Sequence, residues 1–200
     1  MLIGVLAVQG GVAEHQRMLD ELGVQSRQVR RTEHLAGLDG IILPGGESTT
    51  MSKLLELGGM LEPLRQALRD GLPAYGTCAG MILLSNEILD TRADAHNLGA
   101  LDITVRRNAF GRQVDSFEAD LDFRGIAGSV PAVFIRAPWV ERVGEDVEVL
   151  SRVPSGPAEG AIVAVRSGNV IATSFHPEVS GDTRVHAYFA EIVAAAGQSG

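Results

Sequence analysis

The sequence predicts an α/β fold: one domain over residues 1–200, a central mostly parallel sheet with helices on both faces, and additional antiparallel strands in the second half. Three observations carry this. In the first half, short and nearly uninterrupted apolar runs alternate with segments whose apolar residues recur at helical spacing. The second half holds successive strand-like runs with few helical patterns between them. The 200 residues, 45% of them apolar, suffice for one domain with a sizeable core.

Taken in order, Leu2 to Val8 is a near-continuous apolar run, the mark of a strand covered on both faces. A helix follows from about Val12 to Leu22, with Met18, Leu19 and Leu22 facing inward, and Gly23 stops it. Val24 to Val29 is a weaker, shorter strand. Ile41 to Leu43 is the next buried strand and ends abruptly at Pro44-Gly45-Gly46. Helical spacing then returns, with Met51, Leu54 and Leu55 on one face and Leu61, Leu64 and Leu68 on the next. After Pro73, the short strand Ala74-Tyr75 leads through Gly76-Thr77-Cys78-Ala79-Gly80 into the buried helix that holds Met81, Ile82, Leu83 and Leu84.

Further strands are expected at Asp102–Val105, Val114–Leu121, Ala132–Ile135, Val147–Leu150, Ala161–Val165 and Val170–Thr173. Gly168-Asn169 is a two-residue hairpin signal between the last two. Pro154-Ser155-Gly156-Pro157 marks a turn. The chain closes on a helix with Val185, Tyr188, Phe189, Ile192, Val193 and Ala196 in one apolar stripe and Asp182 as a candidate N-cap.

Composition excludes several classes of function. The net charge of −8 argues against a nucleic-acid surface, which needs clustered Lys and Arg. Mean hydropathy is +0.12, yet no apolar stretch is long enough to span a bilayer, so no membrane role is expected. The N-terminal run has no basic start and reads as a strand and not as a signal peptide. A single cysteine excludes an intrachain disulfide framework and fits a reducing compartment, so a cytoplasmic location is expected. That cysteine and scattered histidines give no metal-ligand spacing.

The same cysteine is the strongest chemical signal. A Gly-x-Cys-x-Gly corner between strand and helix lifts a nucleophile to the rim of a sheet, although a free cysteine is equally at home as a small buried hydrophobe. Ligands of open α/β sheets collect at the carboxyl ends of strands. The Cys78 corner, Gly45-Gly46-Glu47-Ser48 and Phe175-His176-Pro177-Glu178 all fall there. His176 and Glu178, two apart, lie on one side of an extended backbone, where a carboxylate can fix the imidazole tautomer and leave the other ring nitrogen for sulfur. His-Pro-Glu is also an ordinary polar turn. Gly45 and Gly46 permit close backbone approach and suit an oxyanion hole with the Ala79 N–H, and the same loop reads equally as a glycine turn capped by Ser48 or Thr49. His15, His34, His96 and His186 lack comparable support. Neither a phosphate loop nor the dinucleotide Gly-x-Gly-x-x-Gly fingerprint is present.

Together these segments resemble the class I, or triad, glutamine amidotransferases, with Cys78 as nucleophile, His176 as base and Glu178 as its orienter. The likeness narrows to the glutaminase subunits of pyridoxal 5'-phosphate synthase. Gln9-Gly10, Pro44 to Thr50, Gly76 to Gly80, Arg107-Asn108-Ala109-Phe110-Gly111-Arg112-Gln113-Val114-Asp115-Ser116-Phe117-Glu118 and Phe134-Ile135-Arg136-Ala137-Pro138 carry it. Ile82 stands where other class I amidotransferases usually carry glutamine, which favours this branch. The resemblance implies a class I amidotransferase-like fold and hydrolysis of L-glutamine to glutamate and ammonia. It further implies glutamine contacts at Gly46, Glu47, Ser48, Arg107, Ile135 and Arg136, and an oxyanion hole at Gly46 and Ala79. The implied partner is a separate synthase subunit that combines the ammonia with ribose 5-phosphate and glyceraldehyde 3-phosphate. Docking is expected to activate the enzyme through the first helix with Gln9 and Gly10. Pyridoxal 5'-phosphate is then the product of the complex, and no cofactor is expected.

Two other classes stay open on sequence. A related cysteine hydrolase would be acylated by peptides or esters, and a non-catalytic module on the same scaffold would release no ammonia even beside a synthase.

Overall fold

A computed structural model describes residues 1–110 and 116–198 of the chain. The elements run β1 (Leu2–Leu6), α1 (Val12–Glu21), β2 (Gln25–Val29), a 3-10 turn at Thr32–Leu35, β3 (Gly40–Leu43), α2 (Ser48–Leu57), α3 (Leu61–Arg69), β4 (Ala74–Thr77), α4 (Ala79–Leu84) and β5 (Ser85–Leu89). They continue with β6 (Leu101–Arg106), β7 (Ser116–Asp122), β8 (Ser129–Ile135), β9 (Trp139–Val143), β10 (Glu148–Arg152), β11 (Ile162–Ser167), β12 (Val170–Thr173), α5 (Pro177–Ser180) and α6 (Arg184–Gly197).

A ten-stranded sheet has the order β2-β1-β3-β4-β12-β11-β9-β6-β5, with β10 paired to β11. From β2 to β12 the neighbours are parallel, and antiparallel pairing enters with β11. Ser167 pairs with Val170, so Gly168-Asn169 closes the expected two-residue hairpin. β7 and β8 form a separate antiparallel ribbon. The strand expected to start at Val114 is described only from Ser116, and residues 111–115 of the Arg107–Glu118 segment lie outside the described residues.

Alternation along the central strands builds one core on each face. Leu6, Ile41, Leu43, Ala74 and Ala172 join Met51, Leu55, Leu64 and Met81 of α2, α3 and α4. Ile3, Val5, Ile42, Tyr75 and Ile171 join Leu19 of α1 and Val185, Phe189 and Val193 of α6, with the β7–β8 ribbon packed on the same side.

Several expectations need correction. β5 and β9 were not anticipated, because Ser-Asn-Glu-Ile-Leu and Trp-Val-Glu-Arg-Val mix charge into short runs; β5 pairs β6 at the sheet's edge, and β9 lies inside it between β6 and β11. Leu54, expected inside, is 40% exposed, because α2 turns Met51, Ser52 and Leu55 toward the core. Leu22 is only half-buried. The N-cap of the final helix is Thr183 and not Asp182, whose carboxylate, one position earlier, accepts from the Arg184 N–H at 2.9 Å.

Candidate active site

β3, β4 and β12 lie side by side and parallel, so their carboxyl ends bring Pro44-Gly45-Gly46, Cys78 and His176 to one rim of the sheet. Cys78 is the turn residue between β4 and α4, at φ 50° and ψ −105°. A side chain with a Cβ rarely adopts this backbone, and holding it costs roughly 1–3 kcal/mol. The corner is fixed from below by the Cys78 N–H, which donates to the Thr173 carbonyl of β12 at 2.8 Å. The Cys78 side chain is nearly buried, with its sulfur 3.9 Å from the Ile135 carbonyl oxygen. Ala79 opens α4, where a backbone N–H has no partner within the helix.

His176 and Glu178 meet, though not through extended backbone. Pro177 starts the short helix α5, and Glu178 curls back within that first turn to place Oε1 2.7 Å from His176 Nδ1. Burial disfavours a charged His176, but hydrogen bonds to Cys78 and Glu178 and attraction to both outweigh it. The pKa is raised to about 10. Glu178 is 2% exposed, and its Oε2 is buried with no hydrogen-bond partner among the described residues.

The glycine loop is capped by neither Ser48 nor Thr49. Glu47 occupies the N-cap of α2 and accepts from the N–H groups of Thr49 and Thr50 at 3.1 and 2.7 Å. Its carboxylate also binds the Thr50 hydroxyl and the Arg107 guanidinium at 3.0 Å. Burial raises its pKa, but these hydrogen bonds and Arg107 outweigh burial, and the net shift is downward. Arg107 bridges onward to the Thr49 hydroxyl at 3.0 Å. Gln9 and Gly10 touch the same loop: the Glu47 N–H donates to Gln9 Oε1 at 2.7 Å, and a Cβ on Gly10 would stand 1.6 Å from the Gly45 carbonyl oxygen.

One cavity of about 410 Å³ is lined by Gly46, Glu47, Ser48, Cys78, Ala79, Ile82, Arg107, Asn108, Ile135, Arg136 and His176. Every residue expected to contact glutamine or an oxyanion is therefore present in one concavity with the cysteine and the histidine. Asn108 and Ile82 line it too. Asn108 (φ 45°) and Arg136 (φ 44°) share with Cys78 a positive φ that side chains seldom adopt, and such conformations cluster where function over-determines the backbone. Among the described residues, no group of three or more His, Cys, Asp or Glu can hold a metal ion, and no helix is long and apolar enough to cross a membrane.

Sequence reasoning passed over His15 and His186. Both are fully buried, His15 beside Glu178 and His186 against His15. The signal was available: His15 shares a helical face with Met18 and Leu19, and His186 one with Phe189 and Val193.

The profile of the SNO glutamine amidotransferase family matches residues 5–195. The pyridoxal 5'-phosphate synthase subunit PdxT of Rhodococcus opacus is 66% identical over 195 residues, covering 96% of this chain and 96% of that protein. A solved structure described as a glutamine amidotransferase superposes with a TM-score of 0.89 at 48% identity, covering 96% of this chain and 98% of the other. A putative GMP synthase subunit from Thermoplasma acidophilum, at 19% identity and a TM-score of 0.71 over 99% and 96% of the two chains, shares the fold. With its sequence matched almost from end to end, the chain belongs to the SNO glutamine amidotransferase family.

Proposed function

We propose that the protein hydrolyses L-glutamine through Cys78, His176 and Glu178 and delivers the ammonia to a separate synthase subunit that makes pyridoxal 5'-phosphate from ribose 5-phosphate and glyceraldehyde 3-phosphate. The single cavity shared by Cys78, His176, Glu47, Ser48, Arg107 and Arg136 supports this reading most directly. The 66% identity to a protein named as a subunit of that synthase supports the partner.

In this mechanism Cys78 passes its proton to His176, and its sulfur attacks the carboxamide carbon of glutamine. The tetrahedral oxyanion accepts from the backbone N–H groups of Gly46 and Ala79, each such donor being worth roughly 10²–10³ in rate. His176 gives its proton to the departing nitrogen, and ammonia leaves. The remaining γ-glutamyl thioester is hydrolysed by a water whose proton returns to His176, releasing glutamate and the free sulfur. Glu178 stabilises the imidazolium through Nδ1. Arg107 and Arg136 offer guanidinium groups for the substrate's α-carboxylate. Gln9 and Gly10, locked to the glycine loop, form the route by which a docked synthase sets the Gly46 donor.

The test is glutamate release by the wild-type chain with and without its synthase partner. Partner-dependent release that disappears in Cys78→Ala supports the proposal. Normal turnover by Cys78→Ala, or acylation by peptides but not by glutamine, overturns it.

A further inference from the structure

We propose that His15, held in one tautomer by His186, is a positioning residue that helps fix the Glu178 carboxylate through the same oxygen that faces His176. The inference rests on the glutaminase reading and adds to its machinery two buried histidines that the triad does not use.

The geometry is a chain of contacts through the core. His186 Nε2 stands 2.8 Å from His15 Nδ1. His15 Nε2 in turn lies 3.3 Å from the Thr77 hydroxyl and 3.6 Å from Glu178 Oε1, the same oxygen that His176 Nδ1 approaches at 2.7 Å. Four elements thereby join in one chain of contacts that ends on the carboxylate: α6 through His186 and β4 through Thr77 meet His15 of α1, and His15 faces Glu178 of α5. Tyr75 closes the pocket, with its ring edge-on to both histidines and its hydroxyl 3.1 Å from Thr173 Oγ1.

Proton placement follows from which atoms have partners. His186 Nδ1 is buried and has no hydrogen-bond partner among the described residues. Were His15 to donate from Nδ1, neutral His186 would carry its own proton on Nδ1. A buried N–H would then be stranded, and a bare His15 lone pair would face the Glu178 carboxylate. The reverse arrangement has neither cost. His186 donates from Nε2 to His15 Nδ1, and His15 directs its Nε2–H toward Thr77 and Glu178. Both rings are neutral in this scheme. Burial, His186 and His176 all hold the His15 pKa well below the usual histidine value, and burial lowers that of His186 to about 4.

At 3.6 Å the His15 Nε2–H is an oriented dipole against the carboxylate and not a short hydrogen bond. In a site that excludes water it nevertheless weighs on where that carboxylate rests. Glu178 Oε2 has no donor to anchor it among the described residues, so the position of the carboxylate depends on what faces Oε1.

Two measurements test this. In the chain carrying isotope-labelled histidine, NMR should find His15 protonated on Nε2 with Nδ1 bare, and His186 protonated on Nε2. A protonated Nδ1 on His15 overturns the proposal, whatever the activity. Glutamate release, measured beside the synthase partner, should fall about tenfold in kcat for His15→Phe with KM nearly unchanged, the effect of losing one ordinary polar contact. His15→Gln, which carries an amide N–H to the same place, should recover most of that loss. Equal losses in both variants, or none in His15→Phe, overturn the positioning role. Because the NMR result needs no turnover, a wild-type chain that releases no glutamate would refute the glutaminase reading separately.

Discussion

His176 Nδ1 stands 2.7 Å from Glu178 Oε1. The carboxylate therefore spends its strongest contact on the imidazole, within a turn of helix that also buries it. Glu178→Gln preserves size but removes the charge that stabilises an imidazolium. We expect kcat to fall by at least ~10², measured as glutamate release at saturating glutamine. A pH signature accompanies it. The folded-state pKa of His176, about 10, exceeds its ordinary value of 6.5, so its contacts with Cys78 and Glu178 stabilise the fold fully below pH 6.5 and this contribution is lost as pH rises through 10. The difference in stability between wild type and Glu178→Gln should shrink over that window.

Gly45 packs against the imidazole face. A Cβ there would stand 2.5 Å from His176 Cε1 and 3.5 Å from Cys78 Cβ. Gly45→Ala should displace the ring and cost about 10² in kcat, as small misplacements of a catalytic group do. Thermal denaturation should change far less than turnover.

Arg107 ties the cavity wall together, reaching Glu47 and Thr49 at 3.0 Å each. A lysine carries its three N–H donors on one nitrogen and cannot span the two acceptors with a planar fork of two nitrogens. Arg107→Lys should raise the KM for glutamine more than it lowers kcat. Glu47→Ala should behave differently, losing the α2 cap and about 1 kcal/mol of stability in a denaturant titration.

His186 predicts acid sensitivity. Its pKa is lowered by burial from 6.5 to about 4, so the unfolded chain takes up the proton first. The stability this neutral ring permits is intact above pH 6.5 and falls as pH drops toward 4, by on the order of 3 kcal/mol in total. His186→Phe should flatten the decline in unfolding free energy between pH 6.5 and 4.

The parallel core was legible because Leu2–Val8 and Ile41–Leu43 are apolar on both sides, a pattern that few other structures tolerate. The Cys78 corner and the glycine loop were legible because their residue types report backbone demands. β5 and β9 were not, since both are five-residue runs that mix charged with apolar residues, and β9 takes its place between β6 and β11 from partners distant in sequence. His176 and Glu178 were paired correctly for an incomplete reason: period-two spacing suggested a strand, whereas Pro177 starts a helical turn. His15 and His186 are separated by 171 positions, and only the packing of α1 and α6 on one face of the sheet brings them together.

The positive φ of Cys78 has a consequence for how this sequence can change. Glycine, which has no Cβ to clash at positive φ, would relax that corner more readily than any residue with a reactive sulfur. A search that rewarded folding alone would discard the cysteine early, and the backbone would welcome its loss. On the proposed mechanism only turnover needs a thiol at the strained corner, so the position is a sensitive place to detect whether a descendant of this chain still works as an enzyme.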